Sequence, residues 1–221
     1  MFDLPEIRRS KTDQAYEYIK QELIAGRWSF GQEISVVEIA ETLGFSRRPV
    51  IDALKRLEVE QFVEIVPQTG VFVKRYTEEE ILDHFTAVMA LEGLAACLAA
   101  ERGQPEQLDA LKAANRELEE VVSRPFKKEE YFSCNRRFHY VILRMAQSKK
   151  LMSLLPAQWN LNDFFLTNIS FFEQDFKRTI GEHERIIEAI AHRDRDLARF
   201  RMEEHFQTFI QMVKQSLSIR R

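Results

Sequence analysis

With 221 residues the chain is long enough for one large or two small domains with apolar cores. Its 32 Lys and Arg against 35 Asp and Glu leave a net charge of −3, which excludes a polybasic nucleic-acid coat. Only 7 Gly and 6 Pro interrupt a chain rich in Ala, Leu, Glu and Arg, so a mainly α fold is expected. The sequence shows no apolar run of membrane-spanning length and no signal-peptide core, and a cytoplasmic protein with no membrane partner is expected. Cys97 and Cys134 stand in helical patterns and read as buried free thiols.

Residues 1–9 read as a loose arm in which Arg8 and Arg9, with Lys11 beyond, are either solvated or close to phosphate. A helix is predicted from Ser10 to Ala25, with Ala15, Tyr16, Ile19 and Leu23 as its apolar face and Gly26 as its end. The next stretch, GRWSFGQEIS, reads as a short linker whose Trp28 and Phe30 pack onto the domain.

The following stretch, SVVEIAETLGFSRRPVIDALKRL, carries the densest signal in the chain. Val36, Ile39, Ala40 and Leu43 repeat with helical period, and so do Val50, Ala53, Leu54 and Leu57. Between the two runs Gly44 is placed to end the first helix in the left-handed conformation. Ser46 stands at the N-cap of the second helix, where its hydroxyl is expected to accept a backbone N–H, and Pro49 lies in the first turn. A small residue at the helix contact (Ala40), a glycine at the turn and an apolar wedge (Val50) make a DNA-binding helix-turn-helix. In that motif the first turn of the second helix enters the major groove, and here it carries Arg47 and Arg48. Arginine suits the place because its planar fork pairs with guanine or clamps phosphate. An ordinary helical hairpin with two surface arginines is the plainer alternative.

The run QFVEIVPQTGVFVKRY then reads as two short strands, residues 62–66 and 71–73, around the turn Pro67-Gln68-Thr69-Gly70. A hairpin after a recognition helix is a wing, so residues 10–76 are expected to form a winged helix. Ser46, Lys55, Thr69 and Gly70 join Arg47 and Arg48 as candidate phosphate or wing contacts with double-stranded DNA.

Thr77 and Glu80 form a capping-box pattern that opens a second domain, 77–221. Its helices are expected at roughly 78–102, 105–123, 127–147, 149–173, 176–192 and 194–218. Pro105 suits a first helical position, and Pro156 should kink the fourth of these helices or split its start. Phe164, Phe165, Phe171, Phe172 and Phe176 crowd one stretch, suggesting core and dimer-interface packing, with an apolar effector pocket as the sharper reading.

The stretch FGQEIS-VVEIAETLGFSRRPVIDALKRLEVEQFVEIVPQTGVFV resembles the N-terminal domain of GntR-type bacterial transcription regulators, and the resemblance runs through nearly the whole chain. The helical half resembles the FCD domain of the FadR branch, with six helices as in its VanR-like subgroup. The resemblance implies an N-terminal winged helix-turn-helix, residues 1–76, and an all-helical FCD domain that dimerises and binds a small-molecule effector. It implies a homodimer on an operator, more often a repressor than an activator. Three departures stand out. Val37 and Ile51 occupy places where the family often has arginine, and the wing tip lacks basic residues. Residues 1–76 hold 11 Lys and Arg against 12 Asp and Glu, so modest non-specific binding to DNA is expected.

The family's FCD domain commonly holds a divalent metal by one Asp and three His, in the pattern D-x3-H followed by a His on each of two later helices. The matching places here are Asn135, His139, His183 and His205. Residues four apart share a helix face, so Asn135 and His139 can point at one ion. Three neutral imidazoles suit Zn²⁺, with Ni²⁺ or Mn²⁺ also accommodated. Asn offers a carbonyl oxygen without charge, which weakens the expected site. Val88 replaces an arginine of the family four residues before Glu92, which argues against an organic-acid effector held by that arginine. His84 and His192 have no counterpart in the pattern. Two alternatives stay open: a metal-dependent hydrolase with an accessory DNA-binding head, and a regulator whose helical domain only dimerises.

Overall fold

A computed structural model describes residues 9–125, 127–169, 171 and 176–218, with the side chains of 128, 129 and 176 excepted. The arm with Arg8, the ring of Phe172 and the ring of Phe176 lie outside the described residues. The chain divides into two compact units, residues 1–77 with 160–169, and residues 78–159 with 170–221.

The first unit begins with α1, Lys11–Ala25, capped by Ser10, whose hydroxyl accepts the Asp13 N–H at 3.0 Å. Ala15, Ile19 and Leu23 are fully buried along one face. Helix α2, Val36–Leu43, is capped by Ser35 and ended by Gly44. A Cβ on Gly44 would meet nothing within 4 Å, so it is the backbone, at φ +66°, that favours glycine there, rather than space. Helix α3, Arg47–Val59, buries Val50, Ala53, Leu54 and Leu57 completely. Ser46 has the extended backbone of an N-cap but its side chain makes no capping bond, contrary to expectation. The cause is local: the third residue of α3, whose N–H such a cap commonly takes, is Pro49, which has none.

Strands β1, Val63–Val66, and β2, Gly70–Val73, pair antiparallel from Val63↔Val73 to Val66↔Gly70. Helix, helix, helix and hairpin make a winged helix. The stretch expected as a linker does more than connect. Glu33 bridges to Phe72, the Ile34 N–H donates to the Val71 carbonyl and the Val73 N–H to the Gln32 carbonyl, both at 2.8 Å, so it adds a third edge to the wing.

The remaining part of this unit comes from α7, Lys149–Asn168. Phe164 and Phe165 are fully buried, with Phe164 5.1 Å from Phe62 and Phe165 4.7 Å from Tyr76, centroid to centroid. Asn168 accepts the Phe30 N–H at 3.0 Å and donates to the Phe164 carbonyl at 3.0 Å. That amide engages both partners where the helix ends, five residues short of the expected end at 173. Pro156 lies inside α7 without splitting it; Leu155 and Trp159, buried on either side, hold the helix to the core where the proline removes one ladder bond.

The second unit is a helical bundle: α4, Glu78–Arg102; α5, Pro105–Val122; α6, Lys128–Met145; the first part of α7; α8, Phe176–Ala191; and α9, Arg195–Ser218. Helix α4 packs on α6, α8 and most extensively on α9. By length and composition α4 is apolar enough to cross a membrane, contrary to the expectation that no apolar run reaches that length. In this fold α4 is a central helix of the bundle, with Phe85, Val88, Ala95, Ala96 and Ala99 in the core. Gly93 allows the close approach of α9, since a Cβ there would lie 2.9 Å from the Glu203 side chain. The Phe138, Ile142, Leu143, Ile186 and Met202 side chains complete the centre of the core.

Replacing Phe164 by Ala is expected to cost about 3–5 kcal/mol in urea unfolding, the usual cost of removing a buried ring. A loss under about 1 kcal/mol would contradict its place in the winged-helix core.

Candidate functional site

Three histidines from three helices meet inside the bundle. His139 comes from α6, His183 from α8 and His205 from α9, and one ring nitrogen of each lies within 4.8 Å of the others. Apolar periodicity brings them there: His139 follows the fully buried Phe138, His205 precedes Phe206, and His183 precedes the turn that buries Ile186 and Ile187. His183 is stacked on Phe138 with centroids 3.7 Å apart and planes 5° from parallel, so its ring has little freedom to turn.

Each Nδ1 has an oxygen partner. His139 Nδ1 faces Glu92 Oε2 at 3.3 Å, His183 Nδ1 faces Asn115 Oδ1 at 3.1 Å, and His205 Nδ1 faces Glu182 Oε2 at 2.8 Å. A carboxylate oxygen only accepts, so the Nδ1 atoms of His139 and His205 carry the proton and their Nε2 atoms are left with a lone pair. The amide oxygen of Asn115 assigns His183 the same tautomer, since its Nδ2 is directed to the Ile180 carbonyl at 3.5 Å.

Two buried atoms here lack a hydrogen-bond partner among the described residues: His183 Nε2 and Asn135 Oδ1. Both are acceptors, and buried acceptors without donors are costly. Asn135 stands one helical turn before His139 on α6, on the same face. A cation held by the imidazoles would satisfy His183 Nε2, and the unpartnered Asn135 Oδ1 offers a further donor from the His139 face of α6.

The electrostatics agree with that chemistry. Burial pushes His183 well below the usual imidazole range, and its neighbours His205 and His139 push it further. Burial also lowers His205, outweighing the upward pull of Glu182. Burial alone would raise Glu182, but the hydrogen bond and charge of His205, and then Arg178, hold its carboxyl below the usual value. Neutral imidazoles are the ligand form. Three of them with one amide oxygen are a donor set suited to a Zn²⁺-like ion.

The supporting residues Glu92, Asn115, Glu182 and Trp159 were not named from the sequence as parts of the site. One signal was available: Glu92 is the lone charge between His84 and Glu101 in a stretch otherwise of small and apolar residues. Asn115 gives no comparable cue. His84 packs on Phe85 and His192 is exposed, so neither joins the cluster.

In the first unit, Ser46, Arg47, Arg48, Lys55 and Thr69 are all exposed, and Gly70 is half-buried at the start of β2. Arg48 Nε lies 3.1 Å from Asp52 Oδ2 with its side chain 83% exposed, a pairing weak enough to be exchanged for another anion. Arg47 has no ion-pair partner among the described residues. Arg56, by contrast, is committed to α1, with its guanidinium 2.7 Å from Asp13 Oδ1 and over the Tyr16 ring. The Ser46 hydroxyl, released from capping, is free to bond outward.

Comparison with known proteins adds to this geometry. Residues 11–73 match the bacterial regulatory proteins of the gntR family, and residues 83–208 match the FCD domain. The HTH-type transcriptional regulator YdhC of Bacillus subtilis is 24% identical over 196 residues, covering 87% of this chain and 86% of that protein. The HTH-type transcriptional repressor GlaR of Escherichia coli is 23% identical over 210 residues, covering 92% and 96%. Among solved structures, E. coli McbR/YncC shares the fold with a TM-score of 0.78 at 22% identity, covering 94% of this chain and 98% of that one. A winged helix-turn-helix followed by an FCD bundle, matched in that order along the chain, makes this protein a member of the GntR family of bacterial transcription regulators.

Proposed function

We propose that the protein is a homodimeric repressor that binds a two-fold operator through residues 1–76. On this reading residues 77–221 sense a small molecule through a divalent ion held by Asn135, His139, His183 and His205. The observation that carries the sensing part is the convergence of three buried imidazoles with tethered Nδ1 atoms. The bound ion would supply a Lewis-acid centre with coordination positions left for a ligand. The protein's own residues orient the rings, burial favours the neutral form of His183 and His205, and the bundle excludes bulk water.

Repression is supported by relatives that carry that name, GlaR and a probable D-xylose utilization operon transcriptional repressor of Paenarthrobacter nicotinovorans. Six helices among the described residues of 78–218 support the VanR-like subgroup. Dimerisation is supported by the exposed Leu94 of α4 and the exposed Leu197 and Phe200 of α9, apolar groups that a second copy would cover. Two linked winged helices read two half-sites, and a ligand changes operator affinity by favouring one arrangement of the pair over another. A DNA partner supports a location in the bacterial cytoplasm. A hydrolase is disfavoured because Glu92 and Glu182 both serve imidazoles, which leaves neither carboxylate to activate a water.

Arg47→Ala is expected to weaken binding to an operator selected from random duplexes by about 10-fold or more, the worth of one bidentate arginine contact. Unchanged affinity in a gel-shift titration, with unchanged circular dichroism, would remove Arg47 from the interface. Zn²⁺ added to chelator-stripped full-length protein is expected to raise the unfolding free energy by about 2.7 kcal/mol at a 100-fold excess over Kd. His183→Ala should abolish that increment and the bound metal seen by elemental analysis. A stripped wild-type protein that neither binds nor responds to Zn²⁺, Ni²⁺ or Mn²⁺ would leave a bundle that only dimerises.

A further inference from the structure

The three oxygen atoms behind the imidazoles differ in charge. Asn115, behind His183, is neutral. Glu182, behind His205, is paired on its other oxygen with Arg178, whose Nε lies at 2.9 Å, so its charge is already offset. Glu92, behind His139, is fully buried. Its Oε1 accepts the indole N–H of Trp159 at 2.6 Å and its Oε2 faces His139. No Lys or Arg pairs with it among the described residues. Glu92 is therefore a buried carboxyl group whose two partners are a neutral indole and an imidazole.

An isolated buried carboxylate is strongly disfavoured, and a divalent cation among uncharged ligands keeps a double charge that nothing in its ligand shell offsets. The two deficits have opposite sign and lie on the two sides of one imidazole ring. A carboxylate bonded to Nδ1–H draws that proton toward itself and makes the far nitrogen more basic. We propose that Glu92 is the charge-balancing positioning residue of the metal centre, supplying through His139 the negative charge that the Asn135 amide lacks. The carboxylate has, in effect, been placed behind a ligand instead of among the ligands. Glu182 contributes less because Arg178 competes for it.

This inference rests on the metal reading above, and the test separates the two. Zn²⁺ affinity of the full-length protein is measured by competition with a chromophoric chelator, and the ligand field by the visible spectrum of the Co²⁺ form. Wild type is compared with E92Q, E182Q and the double variant N135D/E92Q. E92Q leaves one acceptor oxygen for two N–H partners, Trp159 and His139, so it removes the charge together with one of the two hydrogen bonds. It is expected to bind Zn²⁺ about 10–100-fold more weakly, the usual effect of losing a carboxylate behind a ligating histidine. E182Q should lose less. N135D/E92Q, which returns one carboxylate to the site at a different place, should recover affinity to within about threefold of wild type, since charge and not shape is restored.

Equal affinity of E92Q and wild type would overturn the role of Glu92 while leaving the metal centre standing. Loss in E92Q without recovery in the double variant would assign Glu92 the role of hydrogen-bond acceptor that fixes the His139 ring, and overturn charge balance. No Zn²⁺ binding by wild type would overturn the metal reading and this inference with it. Should E92Q not fold, the indole N–H resonance of Trp159 in labelled wild type gives the second readout. It should shift on Zn²⁺ addition, and an unmoved resonance overturns the link.

Discussion

A histidine inside an apolar bundle has two nitrogens to satisfy, and the way the first is satisfied decides what the second can do. Here Glu92, Asn115 and Glu182, drawn from α4, α5 and α8, take the Nδ1 side of three rings. With Nδ1 held, each ring has one tautomer and one orientation, and the Nε2 lone pairs are left for the interior. Burial then keeps His183 and His205 neutral. The same packing that stabilises the bundle thus produces a set of donors without donors of hydrogen facing them. The orphaned Asn135 Oδ1 and His183 Nε2 are the residue of that arrangement, and they are the strongest structural argument for a cation.

The winged helix is built on a different economy, in which nearly every feature is local. Glycine ends α1 and α2 at positive φ, serines start them, and the buried faces of α1 and α3 lock the three helices together. The first turn of α3 is the exception. Pro49 removes the backbone donor that Ser46 would have capped, so the hydroxyl and the neighbouring arginines all face outward. A turn that spends little of its polar capacity on itself is suited to phosphate and base edges.

Helix α7 joins these two designs in one element. Its first part carries Leu155 and Trp159 into the bundle, and Trp159 holds the carboxylate behind His139. Its last residues carry Phe164 and Phe165 into the core of the winged helix, where they contact Phe30, Phe62 and Tyr76. Pro156 lies inside the helix without splitting it. Each unit is therefore incomplete without part of the same helix.

The sequence by itself determined the elements and most of their ends. Periodic apolar residues, Gly26 and Gly44, Pro105 and the turn after Val66 act over a few neighbours, and such signals survive without knowledge of the fold. It also determined which histidines to watch, because His139, His183 and His205 match a spaced pattern. What tertiary structure alone decided is everything that depends on partners distant in the chain. The edge pairing of Gln32–Ile34 with β2 is one such case, because a ladder bond leaves no mark on residues 37 to 41 positions apart. The capture of Phe164 and Phe165 by the winged helix is another, since a phenylalanine's sequence neighbours do not say which core it enters. Most consequentially, Glu92 in an apolar helix looks like an anomaly until folding brings His139 and Trp159 to its two oxygens, 47 and 67 residues away.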